Sequence, residues 1–333
     1  MRVFKPGICI RILCAALSLL VLPVANVHAQ ALTDVSIALP STSVVGGSIR
    51  LADVMGLFEK HGLKPKFTVM DGGAVTLSAL VSGSVDAAML GGTENAVARS
   101  RGQDIVILAN TYGGFGATLV LGKAAADASG VAPDAPLEQR LKALSGLTLA
   151  APSPTSDYTF AFKSAAAEQG AAPDFVFMSQ SAMPAALQSG AVQGYVASAP
   201  NWGAQVLSGT AVIWISGPKR ELPPEFSPRS SVSLQMMRAT ADSKPELTRS
   251  LIAVVGEMIA AMTDRPDDVI AALGNLYPAL SPEELKLLFR SESGPWAASK
   301  LTIEDVQADL EFALRTGVLS SLEGIDARQM LYQ

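Results

Sequence analysis

Short apolar strands alternate with amphipathic helices along most of the chain. Residues 34–40 place apolar side chains at every second position, which predicts a strand. Residues 47–61 repeat their apolar positions with helical spacing, and Gly62 follows at a position that favours a positive φ. The same reasoning predicts strands at 67–70, 85–90 and 105–110, and helices at 75–82 and 95–101. Strands that alternate with helices indicate parallel βαβ units in a layered α/β sheet.

The pattern of the first part of the chain recurs about 110 residues later. Residues 59–70 align with 167–178, and both segments read Gly-x-x-Pro-x-Phe-x-x-Met. Residues 79–85 align likewise with 186–192, and the loop 40–43 aligns with 152–156. Similar turn residues occur in many α/β proteins, which is the alternative explanation. Three matches at nearly constant spacing favour two similar lobes.

We therefore expect a two-lobed α/β protein, in which each lobe is a sheet layered with helices. Residues 32–116 and 232–333 are assigned to lobe 1, and residues 117–231 to lobe 2. The predicted strands 118–122, 211–216 and 232–236 carry the chain between the lobes, so two segments form the hinge. The helices predicted at 245–263, 266–276, 282–291 and 302–316 are expected to pack on lobe 1.

The first thirty residues have the pattern of a cleaved secretory signal peptide. Three basic residues precede the apolar run 12–24, which is too short to span a bilayer. Small residues place the cleavage site after Ala29 or Ala31, so residues 1–29 form the signal. Cys9 and Cys14 lie before or within the apolar run, whereas a lipidated cysteine follows it. We expect Sec-type export to the periplasm without a lipid anchor.

The composition after the signal argues against several classes of function. Loss of three positive charges takes the formal net charge from −5 to −8, and an acidic protein is a poor partner for nucleic acid. Both cysteines leave with the signal, and His61 becomes the principal histidine. Neither a Ser-His-Asp arrangement nor a phosphate loop or metal-ligand motif is recognisable. We predict a monomeric protein that is not an enzyme and that holds neither a cofactor nor a metal.

Ligands of open α/β sheets bind beyond the carboxyl ends of the strands, where helix N-termini present free N–H groups. This rule selects loops that equate across the internal repeat and that are rich in hydroxyl, amide and glycine residues. The predicted ligand-binding residues are Ser41, Thr42, Ser43, Gly92, Thr93, Tyr112, Thr155, Ser156, Gln180, Ser198, Asn201 and Trp202.

Several of these residues have a second interpretation. Tyr112 and Trp202 would stack on a ligand or pack in the core, and Thr155 and Ser156 also suit helix caps. Glu94 and Asp157 each stand at a predicted helix start, where an acid stabilises the helix dipole, or else face an ammonium group of a zwitterion. Arg50 is either a solvated residue or the cation of an anion site.

Four short segments resemble the nitrate/sulfonate/taurine type of periplasmic substrate-binding protein from ABC importers, which belongs to the thiamine-pyrimidine-synthase-like fold family. The segments are 51–63 (LADVMGLFEKHGL), 80–88 (LVSGSVDAA), 144–150 (LSGLTLA) and 306–317 (VQADLEFALRTG). The order and spacing of these segments carry the resemblance, which covers most of the chain after residue 31. Residues 44–47 (VVGG) depart from the family's usual pocket residues.

The resemblance implies the type II periplasmic-binding-protein fold, with two α/β lobes on a hinge. It also implies a protein that captures a small organic or anionic solute, like a sulfonate, taurine, nitrate or a pyrimidine, between its lobes. It implies delivery of that solute to the transmembrane subunits of an ABC permease. One alternative is an exported sensor that presents its ligand to a membrane receptor. A pyrimidine-synthase-like enzyme is the other, but it would need a cysteine-rich motif and an active-site histidine. The chain after residue 31 has no cysteine, and His61 lies at a predicted helix end beside Gly62.

Overall fold

A computed structural model describes residues 31–333 except residues 155, 298 and 299. The predicted signal peptide and the predicted site residue Thr155 lie outside the described residues. Two five-stranded mixed sheets with surrounding helices make up the described part, which confirms the predicted two-lobed α/β fold class.

The first sheet has the strand order β2-β1-β3-β10-β4. Its strands are β1 (Thr33–Leu39), β2 (Leu63–Val69), β3 (Ala87–Leu90), β4 (Ile105–Gly113) and β10 (Ser230–Met237). Strands β1, β2 and β3 are parallel, whereas β10 runs antiparallel to both β3 and β4. The buried strand β3 reads AAML, as expected for a strand covered on both faces.

The second sheet has the order β7-β6-β8-β5-β9, which repeats the arrangement of the first. Its strands are β5 (Thr118–Gly122), β6 (Thr148–Ala151), β7 (Asp174–Phe177), β8 (Gly194–Ala197) and β9 (Ala211–Ser216). Here β5 is the antiparallel strand, between β8 and β9, at the place that β10 occupies in the first sheet. The equal strand orders agree with the internal sequence repeat.

Fifteen helices of the described residues surround the sheets. They are α1 (Arg50–Val54), α2 (Leu57–Lys60), α3 (Gly73–Val81), α4 (Gly92–Ser100), α5 (Lys123–Ser129), α6 (Leu137–Lys142), α7 (Asp157–Glu168), α8 (Met183–Gln188), α9 (Gly203–Leu207), α10 (Arg238–Ser243), α11 (Pro245–Asp264), α12 (Pro266–Leu276), α13 (Pro282–Ala297), α14 (Ile303–Arg315) and α15 (Ala327–Met330).

The single helix predicted over 47–61 is wrong, since the structure divides it into α1 and α2. Gly56 adopts φ 71° between them, a left-handed conformation that breaks the helical hydrogen bonding. The apolar positions keep helical spacing through the break, so the hydrophobic pattern does not reveal it.

The C-terminal helices pack largely on the first sheet. Leu251, Val254 and Val255 of α11 are fully buried in the same core as Val106 and Leu108 of β4. Helix α13 reaches further, because its residues Leu287 and Leu288 also lie against the loop before α9. The lobe boundaries at 116/117 and 231/232 stay a prediction.

Candidate functional site

Loops at the carboxyl ends of the strands meet between the two sheets. We call this region the seam and define it by the loops 40–47, 91–94 and 113–117 on the side of the first sheet, and 152–154, 156–157 and 198–202 on the side of the second. The backbone N–H of Val44 donates to the carbonyl of Ala199 at 3.2 Å. Phe115 packs edge-on against Tyr158, with ring centroids 5.4 Å apart. The predicted cleft loops of both sheets thus touch one another.

The shortest described side-chain link across the seam joins α4 to α7. The Thr93 hydroxyl donates to Asp157 Oδ2 at 2.7 Å, over a sequence separation of 64 residues. Helices α4 and α7 both begin at this point, so the positive ends of their dipoles and the N–H groups of their first turns lie close together.

Glu94 stands beside this link and serves as a capping residue. Its Oε2 accepts from the backbone N–H of Gly91 at 3.1 Å. The carboxylate fits against Gly73 so closely that a Cβ at residue 73 would overlap it. Burial raises the pKa of Glu94, although these backbone hydrogen bonds oppose the shift. The predicted role in stabilising the start of α4 is confirmed.

Asp157 is the second buried carboxyl at this link. Burial is the larger cause and the negative charge of Glu94 the second, and together they raise the pKa of Asp157 to about 7. The hydrogen bond from Thr93 acts in the opposite direction. Two like charges on opposite sides of the seam are therefore close enough to oppose each other's ionisation.

A third carboxylate, Asp309 of α14, lies behind the N-terminus of α4. A Cβ at Gly92 would come within 2.7 Å of its Oδ2. Its Oδ1 accepts a hydrogen bond from the backbone N–H of Arg229. Burial raises the pKa of Asp309 well above its ordinary value, and the charge of Asp157 adds to the shift.

A buried carboxyl also lies next to the predicted site residue Tyr112. The Tyr112 hydroxyl donates a short hydrogen bond to Glu292 Oε2, and Ser291 donates to Glu292 Oε1 at 2.9 Å. Glu292 is 0% exposed, and burial raises its pKa to about 7. Trp296 packs edge-on against the Tyr112 ring at 6.4 Å, and its indole nitrogen has no partner. The charge of Glu292 also raises the pKa of Tyr158 on the other side of the seam, after the larger effect of burial.

The structure places the predicted residues of the first lobe as follows. Ser41 and Ser43 are joined by their hydroxyls at 2.9 Å, and Ser43 accepts from the N–H of Gly46, so both stabilise their own turn. The side chain of Thr42 is exposed, while its carbonyl accepts from Tyr277 at 2.7 Å. Gly92 and Thr93 lie in the seam, and Tyr112 is fully buried with its hydroxyl on Glu292.

The predicted residues of the second lobe form a hydrogen-bonded loop. Gln180 Oε1 accepts from the N–H and the hydroxyl of Ser198 at 2.8 and 3.0 Å. Asn201 Nδ2 donates to the Ser198 carbonyl at 3.0 Å. Ser156 accepts from the N–H of Thr159 and caps α7, as predicted. Trp202 is 1% exposed, and its indole nitrogen lacks a partner.

Sequence reasoning missed Glu292 and Asp309. Both lie on amphipathic helices far along the chain, where an acid is usually solvated, so no local signal marks them as buried. Within the described residues no group of three or more His, Cys, Asp or Glu side chains is arranged to hold a metal ion. None of the described helices is long and apolar enough to cross a membrane.

Comparison with known proteins identifies the family. The model of the NMT1-like family matches residues 47–270. The chain belongs to the NMT1-like family. A search of curated proteins found no match.

Solved structures of the same fold are similar over nearly the whole chain. The periplasmic aliphatic sulphonate binding protein SsuA from Escherichia coli is 16% identical with a TM-score of 0.66, covering 90% of this chain and 98% of that one. The alkanesulfonate-binding protein SsuA from Xanthomonas axonopodis pv. citri, bound to MOPS, is 18% identical with a TM-score of 0.65, covering 91% and 98%. The periplasmic nitrate-binding protein NrtA from Synechocystis PCC 6803 is 17% identical with a TM-score of 0.65, covering 90% and 85%.

Proposed function

We propose that this protein is the extracytoplasmic solute-binding component of an ABC importer and that it binds its solute in the seam. The observation that carries the proposal is the meeting of matched strand-end loops from two sheets of the same strand order, as in the link from Thr93 to Asp157. Such a site can open to admit a small molecule and close around it. The NMT1-like family and the sulfonate- and nitrate-binding proteins of the same fold support this role.

The proposal includes export to the periplasm, delivery to the transmembrane subunits of a permease, and action as a monomer without catalysis. The basic and apolar pattern of residues 1–29 supports export. The loops that define the seam contain neither a histidine nor a cysteine beside the perturbed carboxyls. Loss of solute uptake after deletion of the gene, restored by the intact gene, would support the importer role. Unchanged uptake with loss of a transcriptional response would favour the sensor.

The charges of the seam favour a solute that carries a positively charged nitrogen. Glu94 and Asp157 face one another there, and Glu292 lies behind Tyr112. The loops that define the seam contain no Lys, Arg or His. A bare sulfonate or nitrate would meet like charges, whereas an ammonium group would relieve the repulsion between Glu94 and Asp157. A zwitterion would place its anionic end at the helix N-termini.

A matched pair of solutes tests both the site and its charge. Taurine and ethanesulfonate differ only in the amino group, and nitrate and ethylamine provide the separate charges. Thermal-shift and calorimetric titrations of the wild-type protein and of Glu94→Gln would measure binding. A solute present at a hundred times its Kd stabilises the folded protein by about 2.7 kcal/mol.

We expect taurine or ethylamine to bind more tightly than ethanesulfonate or nitrate, and Glu94→Gln to weaken that preference. Equal binding of taurine and ethanesulfonate, unchanged in the variant, would contradict the proposed ligand charge. If neither these solutes nor a broader panel of small nitrogen and sulfur compounds binds, the solute-binding role itself is wrong.

A further inference from the structure

The link between Thr93 and Asp157 brings an acid from each side of the seam into one place. Thr93, which holds Asp157, and Glu94 both lie in the first turn of α4, and a Cβ at Gly91 would lie 2.7 Å from Glu94 Oε2. A Cβ at Gly91 would lie 3.8 Å from Asp157 Oδ2, which shows how closely α7 approaches the loop before α4. Closure of the seam therefore forces two like charges together.

The groups that face Asp157 from the neighbouring elements offer no compensating cation. Glu94 lies on α4, and Asp309 on α14 is close enough for the two charges to interact. Tyr158 follows Asp157 on α7, and Glu292 of α13 acts in turn on Tyr158. Each of these groups is either acidic or a neutral hydroxyl.

We propose that the Glu94–Asp157 pair is a charge-controlled latch, in which the two sides of the seam close when one carboxyl is neutralised and separate when both are ionised. The inference rests on the opening and closing of the seam that the proposed function requires. In the empty protein the neutralising charge is a proton. In the loaded protein the positive group of the solute takes its place, so that the solute and the proton compete for one position.

The direction of the pH dependence follows from the pKa of Asp157. In this closed arrangement burial, and after it the charge of Glu94, raises the pKa of Asp157 from 3.8 to about 7. In an open seam we expect water to return this pKa toward 3.8, so the closed form binds the proton more tightly than the open form. Closure of the empty protein is consequently favoured at low pH and loses that advantage as the pH rises through 7. Between pH 5.5 and 8.5 the ratio of open to closed protein should rise about thirtyfold.

Small-angle X-ray scattering of the exported, ligand-free protein at pH 5.5 and pH 8.5 measures this ratio. The test variants are Asp157→Asn and Glu94→Gln, each of which removes one charge from the pair. Asp174→Asn is the matched control, since Asp174 is an exposed acid of β7. A second probe, hydrogen exchange of the backbone amides in 91–94, reports on the seam itself and applies if one variant fails to fold.

We expect the wild-type protein and Asp174→Asn to expand as the pH rises, and Asp157→Asn to remain closed at both values. Because burial is the larger cause of the raised pKa of Asp157, Glu94→Gln should expand as the pH rises, but less than the wild type. A wild-type protein that does not expand would overturn the latch, and so would an Asp157→Asn variant that expands as the wild type does. Solute binding with no pH-dependent opening refutes the latch and leaves the proposed function intact. Opening with pH but no binding of any solute supports the latch and refutes the function.

Discussion

Glu292 offers a direct test of the electrostatics beside the predicted site. Its carboxyl is 0% exposed and receives hydrogen bonds from Tyr112 and Ser291, but no cation acts on it. Burial raises its pKa from 4.5 to about 7, so the folded protein holds a proton that the unfolded chain releases. The contribution of Glu292 to the free energy of unfolding is therefore complete below about pH 4.5 and is lost as the pH rises through 7.

The magnitude follows from the two pKa values. A shift of one unit corresponds to about 1.4 kcal/mol, so the full shift is worth about 3 kcal/mol, of which about 2 kcal/mol falls between pH 5.5 and pH 8.5. Glu292→Gln keeps the shape of the side chain and removes the charge. The free energy of unfolding of the variant, relative to wild type, should therefore rise by about 2 kcal/mol over that interval.

Urea unfolding followed by circular dichroism at both pH values measures this difference. Glu283→Gln, an exposed position on the same helix, is the control and should shift equally at both pH values. Other acids titrate in the wild type and in the variant alike, so they cancel in the comparison. If Glu292→Gln changes the free energy of unfolding equally at pH 5.5 and 8.5, the conclusion that Glu292 is protonated in the folded protein is wrong.

Two further predictions concern stability away from the seam. Arg140 is 7% exposed, donates to the Trp214 carbonyl at 2.6 Å and forms an ion pair with Glu221 at 3.2 Å. Arg140→Met should therefore lower the free energy of unfolding by about 3 kcal/mol in urea titrations. A loss below about 0.5 kcal/mol would show that the ion pair is dispensable. Gly217→Ala would place a Cβ against the carbonyls of residues 115 and 117 and should lower the melting temperature. Gly256→Ala lies in an open position inside α11 and should stabilise the folded protein by about 1 kcal/mol. Equal effects of the two variants in differential scanning calorimetry would contradict this difference in packing.

Local patterns predicted most of the secondary structure. The strands at 118–122 and 211–216 and the helix at 266–276 have the predicted bounds. Gly62 and Gly83 adopt φ values of 74° and 73° at the ends that their positions indicated. These features depend on neighbouring residues alone, so the hydrophobic period and the turn residues contain the information.

The chemistry of the site could be predicted only in part. The repeat selected the loops of Thr93 and Ser198, and helix starts marked Glu94 and Asp157 as candidate acids. The contact between Tyr112 and Glu292 spans 180 residues, and no local pattern carries a pairing of that range. Sequence reasoning therefore selected loops rich in hydroxyl, amide and glycine residues, whereas the structure adds the buried carboxyls of Glu292 and Asp309, whose effect depends on tertiary packing.

The antiparallel strand β10 has a consequence for the order in which the protein folds. It fills the gap between β3 and β4, and its contacts join residues 143 positions apart, such as Leu90 and Ser233. Strand β4 has no other strand partner in the described sheet, so its pairing in the sheet cannot form until β10 has been synthesised, after the whole of the second sheet. Pairings of such long range are slow to form. A chain whose first sheet is completed late remains unfolded for longer, and the export proposed for this chain through a Sec-type channel requires an unfolded chain.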